Sequence, residues 1–183
     1  MSISRQNLTI VIVTFKSEEV IHDCINSIGN GIKIIVVENS NSLEFKNKIE
    51  KTYKNVECII STKNLGMGGG NNLGINLTKT DYVLILNPDV VLEESTIDEL
   101  FIASNLISNF TILAPISDNK NYPNYQTDNF QEISKTKESS FEVKSVDGFA
   151  MLINKKKIDE TMNNKNQNYF DENFFMYLEN DDL

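Results

Sequence analysis

Residues 56–89 read VECIISTKNLGMGGGNNLGINLTKTDYVLILNPD. Tyr82 to Leu86 is a short, unbroken apolar run, and Val56 to Ile60 is one interrupted only by Glu57, both rich in branched side chains. Runs of this kind belong to strands buried on both faces, because a strand with one wet face alternates polar and apolar residues. Between them, Asn64-Leu65-Gly66-Met67-Gly68-Gly69-Gly70-Asn71-Asn72 predicts a glycine-rich loop, and residues from about 70 to 78 predict a helix. Strand, loop, helix and strand make a βαβ unit, which sets its strands parallel through a right-handed crossover.

The same alternation continues on both sides. Leu8 to Val13 and Ile32 to Val37 read as two earlier buried strands. Ser17 is a candidate N-cap for a helix carrying Val20, Ile21, Cys24, Ile25 and Ile28, which Gly29 and Gly31 end. Phe45, Ile49 and Tyr53 keep a helical period. Ser95 is expected to cap a helix with Ile97, Leu100, Phe101, Leu106 and Ile107, ahead of a fifth strand over Ile112 to Ile116. Residues 1–116 therefore predict an α/β fold with a mostly parallel sheet covered by helices on both faces. Ligands of such sheets bind outside the carboxyl ends of the strands. Thr14-Phe15, Glu38-Asn39, Asn64 and Asn87-Pro88-Asp89 follow strands one to four, so all four segments are expected to face one crevice.

Beyond residue 116 the pattern changes. Ser117 to Ser140 is polar and reads as a long loop or flap. Phe141 to Val146 alternates like an edge strand, and Asp147-Gly148-Phe149-Ala150 turns into an apolar run, Met151 to Ile153. A short helix near 155–162 precedes an aromatic, acidic end. No repeat or second core is visible, so residues 1–183 are read as one domain. Its parts are a nucleotide-binding half over 1–116, the polar loop 117–140 and an acceptor and catalytic half over 141–183.

The chain of 183 residues carries 17 basic and 26 acidic side chains, a net charge of −9. That balance argues against sequence-independent binding to nucleic-acid phosphates or to an anionic membrane surface. Residues 1–92 are electrically balanced, so the whole excess lies in 93–183. The stretch Asp171 to Leu183 holds five acids and no base, together with Phe174, Phe175, Met176 and Tyr177. A charge run alone reads as a solvated tail, but this aromatic surface predicts folded structure. Cys24 and Cys58 lack metal spacing and read as reduced core residues. His22, the single histidine, lies on the first helix among apolar neighbours, which argues against a Ser-His-Asp or Cys-His site. No apolar run approaches the ~18 residues of a membrane span, and a cytoplasmic location is expected.

Three motifs carry candidate chemistry. The glycine run departs from the dinucleotide fingerprint at its third glycine and follows the third strand, where that fingerprint follows the first. No GK[ST] follows, which excludes a Walker loop. A close helix–strand packing turn is the plain alternative, although Asn64, Asn71 and Asn72 add polar groups that packing does not need. Asn87-Pro88-Asp89 is good turn chemistry, and it also places a carboxylate where Mg²⁺ or Mn²⁺ is held jointly by protein oxygens and substrate phosphates. Glu179-Asn180-Asp181-Asp182 reads either as an acidic first turn of a helix or as a general base with metal support.

Taken in order, six segments resemble the family 2 glycosyltransferases of the GT-A fold, in particular their rhamnosyltransferase-like branch. They are Ile-Val-Thr-Phe at 12–15, Val-Val-Glu-Asn-Ser at 36–40, Asn-Leu-Gly-Met-Gly-Gly-Gly-Asn-Asn at 64–72, Leu-Asn-Pro-Asp at 86–89, Asp-Gly-Phe-Ala-Met-Leu-Ile at 147–153, and Phe-Phe-Met-Tyr-Leu-Glu-Asn-Asp-Asp-Leu at 174–183. The resemblance implies that Thr14 and Phe15 line a nucleobase pocket. Glu38, with Asn39, would bind the base or ribose, and Asn64 and Gly66 would contact the nucleoside. Asn87 and Asp89 stand at the DxD-like position, with Asp89 on a divalent metal, Mg²⁺ or Mn²⁺. Gly148 and Phe149 would shape the donor-sugar and acceptor side. Glu179, Asp181 and Asp182 correspond to the acidic motif that supplies the base, with Glu179 preferred. Asn87 replaces the first acid of a DxD, and Asn180 stands where the family often has Asp; an amide cannot act as a base.

The function so implied is an inverting transfer of a sugar from a UDP- or dTDP-sugar to a glycan or lipid-linked acceptor in surface polysaccharide synthesis. It needs no nucleic acid and no transmembrane segment, and leaves room for peripheral membrane association of a full-length enzyme. The alternatives are a non-catalytic sugar-nucleotide-binding module or an inactive truncated transferase. A nucleotidyltransferase ranks last, because Thr14-Phe15-Lys16-Ser17-Glu18-Glu19 lacks its early glycines. Family members usually continue past the acidic motif, so a chain stopping at Leu183 is expected to bind donor and to transfer weakly or not at all.

Overall fold

The structure, a computed structural model, describes residues 2–117, 123–127, 140–161 and 168–173. Five helices and eight strands follow one another as β1 (Leu8–Thr14), α1 (Ile21–Ile28), β2 (Lys33–Glu38), α2 (Leu43–Thr52), β3 (Val56–Ile60), α3 (Gly66–Leu77), β4 (Tyr82–Leu86), α4 (Thr96–Leu106), β5 (Ile112–Leu113), β6 (Tyr125–Gln126), β7 (Ser145–Val146), β8 (Ala150–Asn154) and α5 (Lys155–Thr161) among these residues.

Six strands form one sheet in the order β3-β2-β1-β4-β8-β5. β3, β2, β1 and β4 are mutually parallel, as the βαβ reading requires. The four expected strands sit within a residue or so of their predicted limits. Both sheet faces are covered. Ile10, Ile12, Ile34 and Leu84 pack with Ile21, Cys24 and Phe45 on one side. Val11, Val13, Val37 and Ile85 pack with Ile75 and Phe170 on the other. Two dry faces are the physical reason β1, β2 and β4 read as apolar runs, while β3, at the sheet's edge, keeps Glu57 exposed.

The far side of the sheet differs from expectation. The predicted fifth strand shrinks to Ile112–Leu113, and it does not lie beside β4. β8 enters between them and pairs antiparallel with both. The sheet is therefore mixed, though mostly parallel. The expected edge strand over 141–146 contracts to β7, which pairs with β6 in a separate two-stranded ribbon.

Two helix starts also differ. α1 begins at Ile21 rather than just after Ser17, and its N-cap, Val20, gives no side-chain bond. The Ser17 hydroxyl is drawn back to Phe15, accepting from its N–H at 3.3 Å. Ser95 does hold the N-cap position of α4, but in helical conformation and without a side-chain bond.

The larger correction concerns the glycine run. It is not a loop: α3 starts at Gly66, whose φ of 70° only glycine adopts without strain. Glycine ordinarily weakens a helix by about 1 kcal/mol relative to alanine. Here the absent side chains let α3 lie directly on β1. A Cβ at Gly70 would stand 2.7 Å from Val13 Cγ1, and one at Gly74 would stand 2.3 Å from Val11 Cγ1. At Gly70 and Gly74 the structure shows the close helix–strand packing that was the plain alternative.

Chain order places the site. β1 leads to β2 and β3 on one flank, and the chain then crosses to β4 on the other. The carboxyl ends of β1 and β4 thus flank a switch point, where open α/β sheets hold ligands.

Candidate active site

Residues leaving the four parallel strands meet at this edge. Asn39, buried just past β2, is the knot. Its N–H donates to the Thr14 carbonyl at 2.8 Å, and its Nδ2 donates to the Gly66 carbonyl at 3.0 Å. Its Oδ1 accepts from the Ser61 hydroxyl at 2.9 Å and from Leu65 N–H at 3.4 Å. One buried amide thereby joins the ends of β1, β2 and β3 to the first turn of α3. Asn64 is exposed and accepts from Gly66 N–H at 3.0 Å, holding the entry to that turn.

Replacing Asn39 with alanine leaves the Gly66 carbonyl and the Ser61 hydroxyl without this buried partner. Losing such bonds costs about 1–2 kcal/mol. The expected result is a lower urea midpoint at unchanged m-value; an unchanged midpoint would show that water replaces the amide.

Thr14 and Glu38 are almost fully buried. Thr14 Oγ1 donates to the Val37 carbonyl at 3.3 Å. The Glu38 carboxylate holds the β2–α2 turn, accepting from Ser40 N–H at 2.8 Å, from the Ser40 hydroxyl and from Ser42 N–H at 2.7 Å. Its negative charge is thus spent largely on the turn, so it shapes the floor of the edge. Phe15 is half exposed, with the Lys16 ammonium 5.6 Å from its ring centroid.

On the other flank, Asn87 N–H donates to the Phe149 carbonyl at 2.8 Å, one step beyond the β4–β8 ladder. This bond brings Asn87-Pro88-Asp89 against Gly148-Phe149. Asn124, itself buried, accepts from Asp147 N–H at 2.9 Å through its carbonyl and holds Ser117 and Pro115 through its amide, which fixes the same turn. Asp89 is exposed. It lies near enough to Cys24 that its charge adds to burial in pushing that thiol up to about 12. Burial likewise pushes Cys58 up to about 12. Both cysteines are free and buried, and neither is a thiolate nucleophile at neutral pH.

His22 Nδ1 lies 3.0 Å from Tyr53 Oη, which joins α1 to α2 away from the strand ends. A broad groove of about 740 Å³ lies elsewhere too, between the end of α1 and residues 91–94, where Arg5 meets Asp98. It receives none of the residues that leave the parallel strands.

Sequence reasoning missed two roles. Ser61 orients Asn39, although only its place after β3 hinted at this. Asn72 was grouped with the polar residues of the glycine run, but it clamps a segment 98 residues away. Phe170 N–H donates to its Oδ1 at 2.9 Å, and its Nδ2 donates to the Phe170 carbonyl at 2.8 Å. Asn72 Nδ2 also donates to Glu172 Oε1 at 3.1 Å, and Tyr169 Oη donates to Asp159 at 2.8 Å. Residues 168–173 are thereby seated on the first turns of α3. The acidic motif Glu179, Asp181 and Asp182 lies outside the described residues.

Among the described residues, no group of three His, Cys, Asp or Glu side chains could hold a metal by itself. The oxygens present are the free carboxylate of Asp89 and the buried Oδ1 of Asn87, which has no hydrogen-bond partner. The one carboxylate, Asp89, fits Mg²⁺ or Mn²⁺ shared with substrate phosphates rather than a closed protein cage, and the neutral Asn87 oxygen adds no charge to it.

Known proteins supply the remaining bearings. The family model described as Glycosyl transferase family 2 matches residues 9–162. The chain is 34% identical over 113 residues to the low-salt glycan biosynthesis hexosyltransferase Agl10 of Haloferax volcanii, covering 60% of this chain and 36% of that protein. It superposes on crystalline S. aureus TarS with a TM-score of 0.69 at 12% identity, covering 95% of this chain and 32% of TarS. Shorter TarS structures are described as complexes with UDP-GlcNAc and with UDP. A mannosyltransferase of Pyrobaculum calidifontis, described in complex with GDP-Man and Mn²⁺, superposes with a TM-score of 0.64 at 10% identity, covering 85% of this chain and 46% of that one. These likenesses give the fold. The chain spans about a third to a half of the length of these proteins.

Proposed function

Because the chain belongs to the glycosyl transferase family 2, we propose that it binds a nucleotide-diphosphate sugar at the carboxyl edge of its sheet and serves an inverting sugar transfer. The acceptor is a glycan or a lipid-linked glycan of surface polysaccharide synthesis, and the setting is the cytoplasm. Among the described residues no helix is long and apolar enough to cross a membrane. The observation that carries the reading is the convergence at one edge of Thr14, Asn39 and Gly66 on one flank with Asn87, Asp89 and Phe149 on the other.

Residues 1–116 would form the donor half. Phe15 offers a half-exposed ring for the nucleobase, Thr14 and Glu38 set the floor, and Asn39 with Asn64 and Gly66 shapes the nucleoside subsite. Asn87 and Asp89 would face the diphosphate, with Asp89 holding Mg²⁺ or Mn²⁺. Such an ion neutralises charge developing on the leaving diphosphate. Gly148 and Phe149, tied to Asn87, would border the transferred sugar and the acceptor. Residues 141–183 form the second half, and Glu179, Asp181 or Asp182 would take the proton of the attacking hydroxyl. One displacement at the anomeric carbon inverts its configuration.

The seating of residues 168–173 on α3 supports this assignment, because it brings the chain to the donor edge a few residues before the acidic motif. A thermal-shift panel of UDP, dTDP and GDP, each with its sugar forms and with or without Mn²⁺, tests the reading. A ligand at 100 times its dissociation constant stabilises by about 2.7 kcal/mol. One base is expected to raise Tm by several degrees, more so with Mn²⁺. If no nucleotide raised Tm, the reading would fall.

A further inference from the structure

We propose that Asn71 is an additional donor-binding residue, whose side-chain oxygen accepts a hydrogen bond from a hydroxyl of the nucleotide sugar beside the oxygen of Asn87. The proposal rests on the donor-binding reading above.

Asn71 is 3% exposed, and no donor among the described residues reaches its Oδ1. The same is true of Asn87 Oδ1. A buried acceptor left without a donor destabilises the folded chain, so one that persists calls for an explanation.

The two oxygens belong to the same corner of the fold. Ile75 is buried in one cluster with Val83, Ile85 and Met151. Asn71 lies one turn before Ile75 on α3, on the same stripe and nearer the carboxyl edge of the sheet. Thr78, one turn beyond Ile75 on that stripe, meets Lys155, the residue just past the end of β8, which confirms the stripe's direction. On β4, Val83 and Ile85 point to the α3 face, while Leu84 and Leu86 point away. The ladder runs one step further, through Asn87 N–H to Phe149, so alternation returns Asn87 to the α3 face. Both orphaned oxygens thus stand one step beyond the same apolar cluster, at the switch point.

Their chemistry narrows the partner. An amide oxygen only accepts, so it rejects phosphate and carboxylate oxygens and takes O–H, N–H or a cation. A cation buried against neutral amides would lack compensating charge. The nearby carboxylate, Asp89, is exposed, which keeps a metal at the rim. A neutral hydroxyl fits the interior. Asn72, the next residue on α3, is by contrast fully engaged with Phe170 and Glu172.

The test is Asn71→Leu, close in size and without the orphaned acceptor. The free variant is expected to melt at or above the wild-type temperature. Its Kd by calorimetry with Mn²⁺ is expected to weaken about tenfold. UDP, 2′,3′-dideoxyuridine diphosphate and UDP-glucose are the probes, with GDP and GDP-mannose in parallel. A ribose hydroxyl predicts weaker binding of UDP and UDP-glucose, and indifference to the dideoxy compound. A sugar hydroxyl predicts weaker binding of the nucleotide sugar alone. Either pattern supports the proposal. Unchanged binding by a variant whose wild type binds overturns it, and so does a lowered Tm accompanying weaker binding, which marks a structural amide. Wild type binding none of the probes would instead bring down the functional reading, and this proposal with it.

Discussion

Replacing Gly74 with alanine is expected to lower the stability of the chain by about 2 kcal/mol, although the same change in an ordinary helix raises it. The favourable part is familiar: alanine is preferred over glycine in a helix interior by about 1 kcal/mol. Against it stands a Cβ placed 2.3 Å from Val11 Cγ1, 3.3 Å from Cγ2 and 3.4 Å from Cβ. Overpacking of a dry core costs about 1–3 kcal/mol and occasionally more. Val11 has no easy retreat. It is fully buried on β1, which is paired on both sides, and a branched side chain has few rotamers to offer. α3 must therefore move off the sheet, stretching the Asn39–Gly66 bond at its start. Urea denaturation measures the loss. A double-mutant cycle with Val11→Ala identifies its cause, since removing the two methyls should recover more than about 0.5 kcal/mol as coupling. Neutral or raised stability in Gly74→Ala would show that α3 is not held at this distance.

That glycine also explains what was legible in the chain. β1, β2 and β4 could be read from local pattern, because burial on both faces writes itself into apolar runs, and β3 from the same pattern broken at the exposed Glu57. The glycine-rich start of α3 could not, since its glycines look like a breaker locally, and Gly70 and Gly74 become necessary only against Val13 and Val11. The position of β8 was equally hidden. Met151 to Ile153 reads as a strand, but nothing in its pattern says that it arrives antiparallel beside β4 and displaces β5 to the edge. The site divides in the same way. Thr14, Asn39 and Asn87 were legible as polar residues ending apolar runs. Ser61 and Asn72 were not, because their partners are brought to them by the fold. Glu38 was legible as a polar residue closing the second strand, yet its burial and its hydrogen bonds to the following turn emerge only from the backbone path.

Asp89→Ala is expected to abolish the metal-dependent part of nucleotide binding while leaving the fold intact. The two halves of this prediction have separate grounds. Asp89 is exposed, and no hydrogen bond or ion pair of its carboxylate is seen among the described residues, so stability should change by no more than about 0.5 kcal/mol, as for ordinary surface substitutions. Binding is another matter. If Asp89 brings Mn²⁺ to the diphosphate, the ion's contribution to affinity passes through this one carboxylate, because Asn87 is neutral and the described residues offer no three-acid cage. The two anionic ligands, carboxylate and diphosphate, hold the ion between them. Wild type is then expected to bind UDP, or whichever nucleotide the thermal panel selects, at least about tenfold more tightly with Mn²⁺ than with EDTA, a difference of about 1.4 kcal/mol. In Asp89→Ala that ratio should fall to near one at unchanged Tm. Asp89→Asn separates charge from volume, since it keeps an oxygen ligand and removes the negative charge, and it should retain only a small part of the ratio. A full Mn²⁺ effect in Asp89→Ala would place the metal elsewhere, on the acidic motif at 179–182 or on the phosphates alone, and would reduce Asn87-Pro88-Asp89 to the turn that its composition also allows.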